Sequence, residues 1–104
     1  GGTPPTFTLD SAYWITEIWT YHWNNGQGAP SVGNITVQSA DGQTYGPFQC
    51  EGRSTNNVYW VATLNQTLPA GNYTIIDSDP NTLAQNAATN GQGHAWAYGI
   101  KNLK

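Results

Sequence analysis

Apolar and polar residues alternate along much of the chain with a period of two. Phe7 and Leu9 alternate with polar residues, and so do Ile35 and Val37. This period places successive side chains on opposite faces of a strand. Apolar residues rarely recur at helical spacing over a useful window. The pattern therefore predicts an all-β domain.

Three segments depart from simple alternation. Residues 13–23 form the longest predicted strand, and their apolar side chains fall on both faces, which indicates either a bulge near Glu17 or burial on both sides. Residues 58–64 are apolar on both faces and predict a central strand. Residues 94–100 place large side chains on one face and small ones on the other. We therefore expect another element to approach the small face closely.

Turn residues divide these strands. Asp41-Gly42 predicts a two-residue hairpin, and Pro47 marks its strand as an edge strand or a bulged one. Residues 68–71 predict a tight turn, and Pro80 ends the strand that follows. About seven or eight strands result, in hairpin-like succession. We expect one domain over residues 1–104, an all-β, two-sheet antiparallel β-sandwich of jelly-roll or immunoglobulin-like type.

Charge restricts the possible partners. Only 9% of residues are charged and the formal net charge is −3, against about 25% charged in average proteins. Three basic residues cannot neutralise a run of phosphates, so we expect no nucleic-acid partner. No apolar run approaches membrane-spanning length, so we expect no membrane insertion. The neutral polar surface is typical of secreted or cell-surface β-modules, whatever their function.

Catalytic motifs are missing from the sequence, and we predict that the protein is not an enzyme. It contains no nucleophile elbow, no H-E-x-x-H and no C-x-x-C. His22 and His94 lie in strand patterns and are predicted to be hydrogen-bonded scaffold residues. Cys50 is the only cysteine, so it has no internal disulfide partner. We expect a buried, inert thiol.

Residues 19–28 form an aromatic strand that runs into an amide-rich loop. Sugar rings stack C–H patches on Trp and Tyr and pair their hydroxyls with amides, which makes this loop a candidate ligand site. The predicted ligand-binding residues are Trp23, Asn24, Asn25, Gln27, Asn86 and Gln92. The remaining tryptophans, Trp14, Trp19, Trp60 and Trp96, are predicted to pack in the core.

The best metal candidate follows the predicted strand over residues 73–76. Asp77, Asp79 and Asn81 present oxygen side chains at alternate positions, like the start of a calcium loop. An EF-hand is excluded because Thr82 and Ala88 stand where that motif needs Gly and Glu. Two interpretations remain: calcium bound with the help of backbone carbonyls, or an Asx turn that ends the strand.

The aromatic loop and the aspartate loop are expected to meet. Loops gather at the two poles of a sandwich. If both follow strand ends at one pole, Asp79 faces Asn24 or Asn25.

Three segments, residues 19–28, 45–48 and 68–80, resemble appended β-sandwich domains of secreted bacterial multidomain proteins, of the carbohydrate-binding-module type. The resemblance implies a non-catalytic module that binds a polysaccharide or other glycan and sits beside neighbouring domains of a longer extracellular chain. It carries over no ligand residues. The alternative is a structural, adhesion or fibre-forming module, because the Pro-containing start of the chain could pair with a neighbour.

Overall fold

The computed structural model describes residues 4–79 and 95–101 of the chain, and these are all-β as predicted. The strands are β1 (Thr6–Leu9), β2 (Tyr13–Tyr21), β3 (Asn34–Ser39), β4 (Thr44–Arg53), β5 (Tyr59–Leu68), β6 (Gly71–Asp77) and β7 (Ala95–Lys101). The first 3-10 turn is Asn24–Gly26 and the second is Thr55–Asn57. Within the described ranges, no helix has the length and apolar character needed to cross a membrane.

The seven strands form one sheet in the order β1-β6-β3-β4-β5-β2-β7, and every pairing is antiparallel. β4 joins the two halves of this sheet. Its residues 44–49 pair with β3, and its residues 50–53 pair with β5. The sheet is nearly closed and barrel-like. The expected division into two separate sheets is therefore not confirmed.

A bulge in β2 decides which side chains point inward. The register of β2 shifts between Ile15 and Glu17 against both neighbouring strands. Ile15 and Ile18 are consequently both buried, although an odd spacing would place them on opposite faces of a regular strand. The irregularity predicted near Glu17 is confirmed. Beyond it, Thr20 points inward, and Trp19 points outward.

A second bulge accommodates Pro47. The pairing of β3 with β4 shifts between Ile35 and Val37, so that Gly46 and Pro47 both oppose Thr36. The bulge alternative is therefore confirmed. The edge alternative also holds locally, because residues 44–49 of β4 pair with β3 alone and β5 pairs only with residues 50–53. Proline has no N–H to donate, and a bulge beside an unpaired edge is a position where a strand tolerates it.

The close approach predicted for the small face of the last strand occurs at Gly99. This residue pairs with Ile15 of β2. A Cβ atom added to Gly99 would lie 2.6 Å from the backbone oxygen of Trp14 and 2.9 Å from Cδ1 of Ile15. Only glycine therefore fits where β7 crosses the bulged part of β2.

The described interior of the sheet is filled mostly by aliphatic side chains, together with Cys50, Trp60 and Tyr73. Trp60 is buried there, as predicted. Trp14, also predicted to be core, is 42% exposed, so that prediction was wrong. The physical reason is alternation: Trp14 precedes the buried Ile15 and points to the outer face. The side chain of Trp96 lies outside the described part of the structure.

We expect Cys50 to react with thiol reagents only after unfolding. Burial raises the pKa of its thiol to about 12, and the nearby negative charge of Asp77 adds to the effect. At about pH 8 the folded thiol stays protonated, whereas an unfolded cysteine with a pKa of about 8.5 is partly the reactive thiolate. Titration with an aromatic disulfide reagent, with and without denaturant, measures this. Rapid stoichiometric labelling of the native protein would contradict burial of the thiol.

Candidate functional site

Five aromatic side chains form a continuous row on the outer face of the sheet. This aromatic row consists of Tyr98, Trp19, Tyr59, Tyr21 and Trp23. Adjacent ring centroids are 6.2 Å apart for Tyr98 and Trp19, and 5.8 Å for Trp19 and Tyr59. They are 5.1 Å apart for Tyr59 and Tyr21, and 6.2 Å for Tyr21 and Trp23. The row crosses β7, β2 and β5 and ends at the first 3-10 turn.

Strand pairing and alternation build the aromatic row. Beyond the bulge, alternate residues of β2 point outward, and Tyr59 lies directly opposite Tyr21 in the register with β5. Val61 has the same outward parity and lies opposite Trp19, yet it is only 2% exposed. The row therefore covers Val61, an aliphatic side chain on the outer face of the sheet. This accounts for the apolar residues that the sequence shows on both faces of β5.

The ends of the aromatic row are its most exposed members. Trp23 is 49% exposed and Tyr98 is 50% exposed, whereas the three rings between them are half-buried. Trp23 is thus available to a ligand, as its predicted role requires. Trp19 was predicted to be core, and that prediction was wrong, because it lies on the outer face and not among the interior residues.

The spacing of the rings determines where a ligand can lie. Carbon atoms in contact are about 3.5–4.0 Å apart, so a sugar ring between two aromatic rings needs a gap of roughly twice that distance. No pair in the row provides it, because the centroids are 5.1–6.2 Å apart. A ligand must therefore contact the solvent side of the row. Trp19 is held in orientation because its Nε1–H donates a hydrogen bond of 3.0 Å to Oε1 of Glu17.

A depression lies beside the Trp23 end of the row, and we call it the loop depression. Its lining residues are Tyr21, Trp23, Gly26, Ser54, Thr55, Asn56, Val58 and Tyr59. Its volume is about 410 Å³, within the range of about 300–1,000 Å³ for small-molecule sites. The combination of aromatic rings with hydroxyl and amide groups in this lining suits a ligand with both C–H and O–H surfaces.

Hydrogen bonds hold the backbone around the two 3-10 turns. The Ala29 N–H, just after the first turn, donates to the backbone oxygen of Asn56 in the second turn at 3.0 Å. Within the first loop, Nδ2 of Asn24 donates to the backbone oxygen of Gly28 at 3.1 Å. Ser54, at the start of the second turn, has φ 69 and ψ 177, a conformation that side chains rarely adopt. The loop depression is thus formed by a constrained backbone rather than by freely moving loops.

We expect Gly28→Ala to destabilise the protein by roughly 1–3 kcal/mol. A Cβ atom at Gly28 would lie 2.1 Å from the backbone oxygen of Asn56, where the two turns meet. Gly42→Ala is the matched control, because Gly42 also has positive φ but has nothing within 4 Å of its added Cβ. Urea unfolding of both variants separates the clash from the strain that they share. Equal destabilisation would show that the contact with Asn56 is unimportant.

The predicted ligand residues meet only in part. Trp23 belongs to the aromatic row, Asn24 and Asn25 belong to the first 3-10 turn, and Gln27 is exposed directly after it. The amide of Asn24 is used within the loop. Asn86 and Gln92 lie outside the described residues, so their predicted role stays a prediction.

Sequence reasoning missed the residues that come from other strands. Tyr59 and Tyr98 join the row because β5 and β7 pair with β2, and Ser54, Thr55 and Asn56 come from the second turn. Aromatic residues in neighbouring strand patterns were a signal. The pairing that brings them together was not visible in the sequence.

A cluster of buried polar side chains, Thr20, His22 and Asp77, lies beneath the candidate site. Nε2 of His22 lies 2.9 Å from Oδ2 of Asp77 and 3.1 Å from Oγ1 of Thr20. The imidazole stacks on Trp60 with centroids 3.8 Å apart. Because a carboxylate only accepts hydrogen bonds, we assign Nε2 of His22 as the donor to Oδ2 of Asp77. His22 is a hydrogen-bonded scaffold residue, as predicted.

This cluster joins the strand ends that precede the two expected loops. His22 directly follows β2, and Asp77 ends β6, in the other half of the sheet. The backbone N–H of His22 also donates a hydrogen bond to the backbone oxygen of Val58, a residue that lines the loop depression. The two strand ends therefore meet, and the contact that the structure shows there is His22 with Asp77.

Asp77 forms the Asx turn that was one of the two interpretations. Its Oδ1 accepts a hydrogen bond of 2.8 Å from the Asp79 N–H, and its Oδ2 faces His22. Asn81, the third predicted metal ligand, lies outside the described residues. Within the ranges that the structure describes, no three His, Cys, Asp or Glu side chains form a group suited to a metal ion. Calcium at Asp77, Asp79 and Asn81 stays a prediction.

No protein-family model matches the chain, and searches of curated proteins and of solved structures give no significant match. The resemblance to carbohydrate-binding modules therefore stays a prediction. Function has to be inferred from the site itself.

Proposed function

We propose that the protein is a non-catalytic glycan-binding module and that the aromatic row, together with the loop depression, is its ligand surface. The main support for this proposal is the aromatic row. Its five aromatic rings form an unbroken series on the outer face of the sheet, and both end rings are about half exposed. Concentrated apolar surface facing solvent marks interaction sites.

The chemistry of the surface matches that of a sugar chain. Ring faces offer contact to C–H groups, while Ser54, Thr55 and Asn56 offer donors and acceptors to hydroxyls. Adjacent rings of the row are in contact with each other, and hydrogen bonds hold the backbone around the two turns before a ligand binds. Such preorganisation reduces the conformational entropy lost on binding.

A binding role rather than a catalytic one is supported by the lining of the loop depression. Its described side chains include no carboxylate, histidine or cysteine to serve as acid, base or nucleophile. His22 is fully buried behind it. The neutral polar composition further supports a secreted or cell-surface setting, with a polysaccharide as partner and neighbouring domains in a longer chain.

The edges of the sheet favour one alternative, a structural or adhesion module. Among the described strands, β1 and β7 end the sheet, and Ile100 of β7 is 69% exposed. Edge strands offer backbone groups for pairing with another chain. Light scattering over a concentration series tests this alternative, since association that grows with concentration would favour it.

Affinity electrophoresis against plant, algal and bacterial polysaccharides tests glycan binding. We expect at least one polysaccharide to retard the protein, and each gel is run with calcium and with chelator. Dependence of retardation on calcium would support the metal site at Asp77, Asp79 and Asn81. Unchanged mobility on every gel would eliminate the proposed function.

A further inference from the structure

We propose that the ligand of the aromatic row is an uncharged glycan, one whose units carry no carboxylate, sulfate or free amine. This inference rests on the proposed function and specifies its substrate class. It follows from the charges around the row and from the lack of charged groups in the described lining of the loop depression.

The loop depression is the concave part of the proposed ligand surface. Among its described lining residues, every side chain is neutral: three aromatic, one aliphatic and three hydroxyl or amide groups beside one glycine. A charged group that enters such a site loses hydration and gains no opposite charge. The hydroxyl groups of a sugar, by contrast, find neutral hydroxyl and amide groups there as hydrogen-bond partners.

The charges that flank the row disfavour an anion. Glu17 lies beside Trp19 and accepts a hydrogen bond from its indole N–H. Arg53 pairs in register with Tyr59 but is held by Glu51, with Nη1 2.9 Å from Oε2. Among the charged side chains that the structure describes beside the row, two carboxylates and one guanidinium sum to −1. An anionic sugar would meet that net negative charge and would have to share Arg53 with Glu51.

A cationic sugar has no better site. The only described carboxylate at the row itself, Glu17, is engaged by Trp19. A ligand ammonium would have to share this carboxylate with the indole of Trp19. Neutral C–H and O–H groups are the chemistry that the surface accommodates without competing for an existing contact.

Matched polymer pairs test the inference by affinity electrophoresis. The probes are hydroxyethylcellulose with carboxymethylcellulose, soluble starch with carboxymethyl starch, and glycol chitin with glycol chitosan. In any pair that retards the protein, we expect the neutral member to bind at least about tenfold more tightly, a difference of about 1.4 kcal/mol. Retardation by the neutral polymer should not change between about 0.05 and 0.5 M salt, because no ion pair contributes to its binding.

Arg53→Gln distinguishes the alternatives. It should leave binding of the neutral polymer unchanged, because Arg53 is paired with Glu51 and lies outside the described lining. Tighter binding of a charged member, lost on adding salt or on Arg53→Gln, would overturn the uncharged class while leaving glycan binding intact. Failure of all six polymers and of the wider polysaccharide panel would overturn both proposals.

Discussion

Replacing His22 with leucine is expected to lower the free energy of unfolding by about 3–5 kcal/mol. The imidazole and the Asp77 carboxylate are 0% and 1% exposed, and 2.9 Å separates their nearest atoms. Removing the imidazole leaves a carboxylate in the interior without its donor. The same substitution removes the stacking of His22 on Trp60. Urea unfolding followed by tryptophan fluorescence measures the loss.

A double-mutant cycle isolates the pair from the packing around it. Asp77→Val alone should also be strongly destabilising, because the buried Nε2–H of His22 then loses its carboxylate acceptor. His22→Leu combined with Asp77→Val should be much less destabilised than the sum of the two single variants, since neither partner is left unpaired. Additive single effects would contradict the view that this contact joins the two halves of the sheet.

Replacing Trp23 with alanine is expected to weaken glycan binding by roughly 30-fold. Aromatic anchors of binding surfaces contribute about 2 kcal/mol or more, and each 1.4 kcal/mol is tenfold in affinity. Trp23 stacks on Tyr21 and lines the loop depression. Because half of it is already exposed, the melting temperature should change little. Affinity electrophoresis and a thermal melt on the same variant measure the two effects.

Trp14→Ala is the matched control for this experiment. Trp14 lies on the outer face of the same strand and is similarly exposed, at 42% against 49% for Trp23. It lies at the opposite end of β2 from Trp23, pairs in register with Ile100, and belongs neither to the aromatic row nor to the described lining of the loop depression. Its replacement should leave affinity unchanged. Equal losses in both variants would mean that exposed tryptophan in general, rather than the aromatic row, attracts the ligand.

Local patterns were sufficient to predict most strands. Alternation identified β1 and β3, and mixed parity indicated the bulge of β2. Asp41-Gly42 identified the hairpin between β3 and β4, but the predicted two-residue loop was wrong, because residues 40–43 separate the two strands. These features depend on residues close together in sequence. They did not reveal that β4 pairs with both halves of the sheet, because that depends on which strands meet in space.

The candidate site was less predictable than the fold because alternation defines two faces but not which one is inside. The bulge reverses the parity of β2, so Trp19 shares an outer face with Trp23 while Ile15, of the same parity, is buried. The same limit hid the contact of His22 with Asp77, residues 55 positions apart. Only strand pairing and burial resolve such questions.

The most direct test of the aromatic row as the ligand surface is a ¹H–¹⁵N spectrum of the tryptophan indole groups during titration with a glycan that retards the protein. The Nε1–H signals of Trp19 and Trp23 should shift progressively, because both rings belong to the row. The signals of Trp14, at the far end of β2, and of Trp60, in the core, should stay in place. Shifts at Trp14 with none at Trp19 or Trp23, under saturating glycan, would contradict the proposed surface.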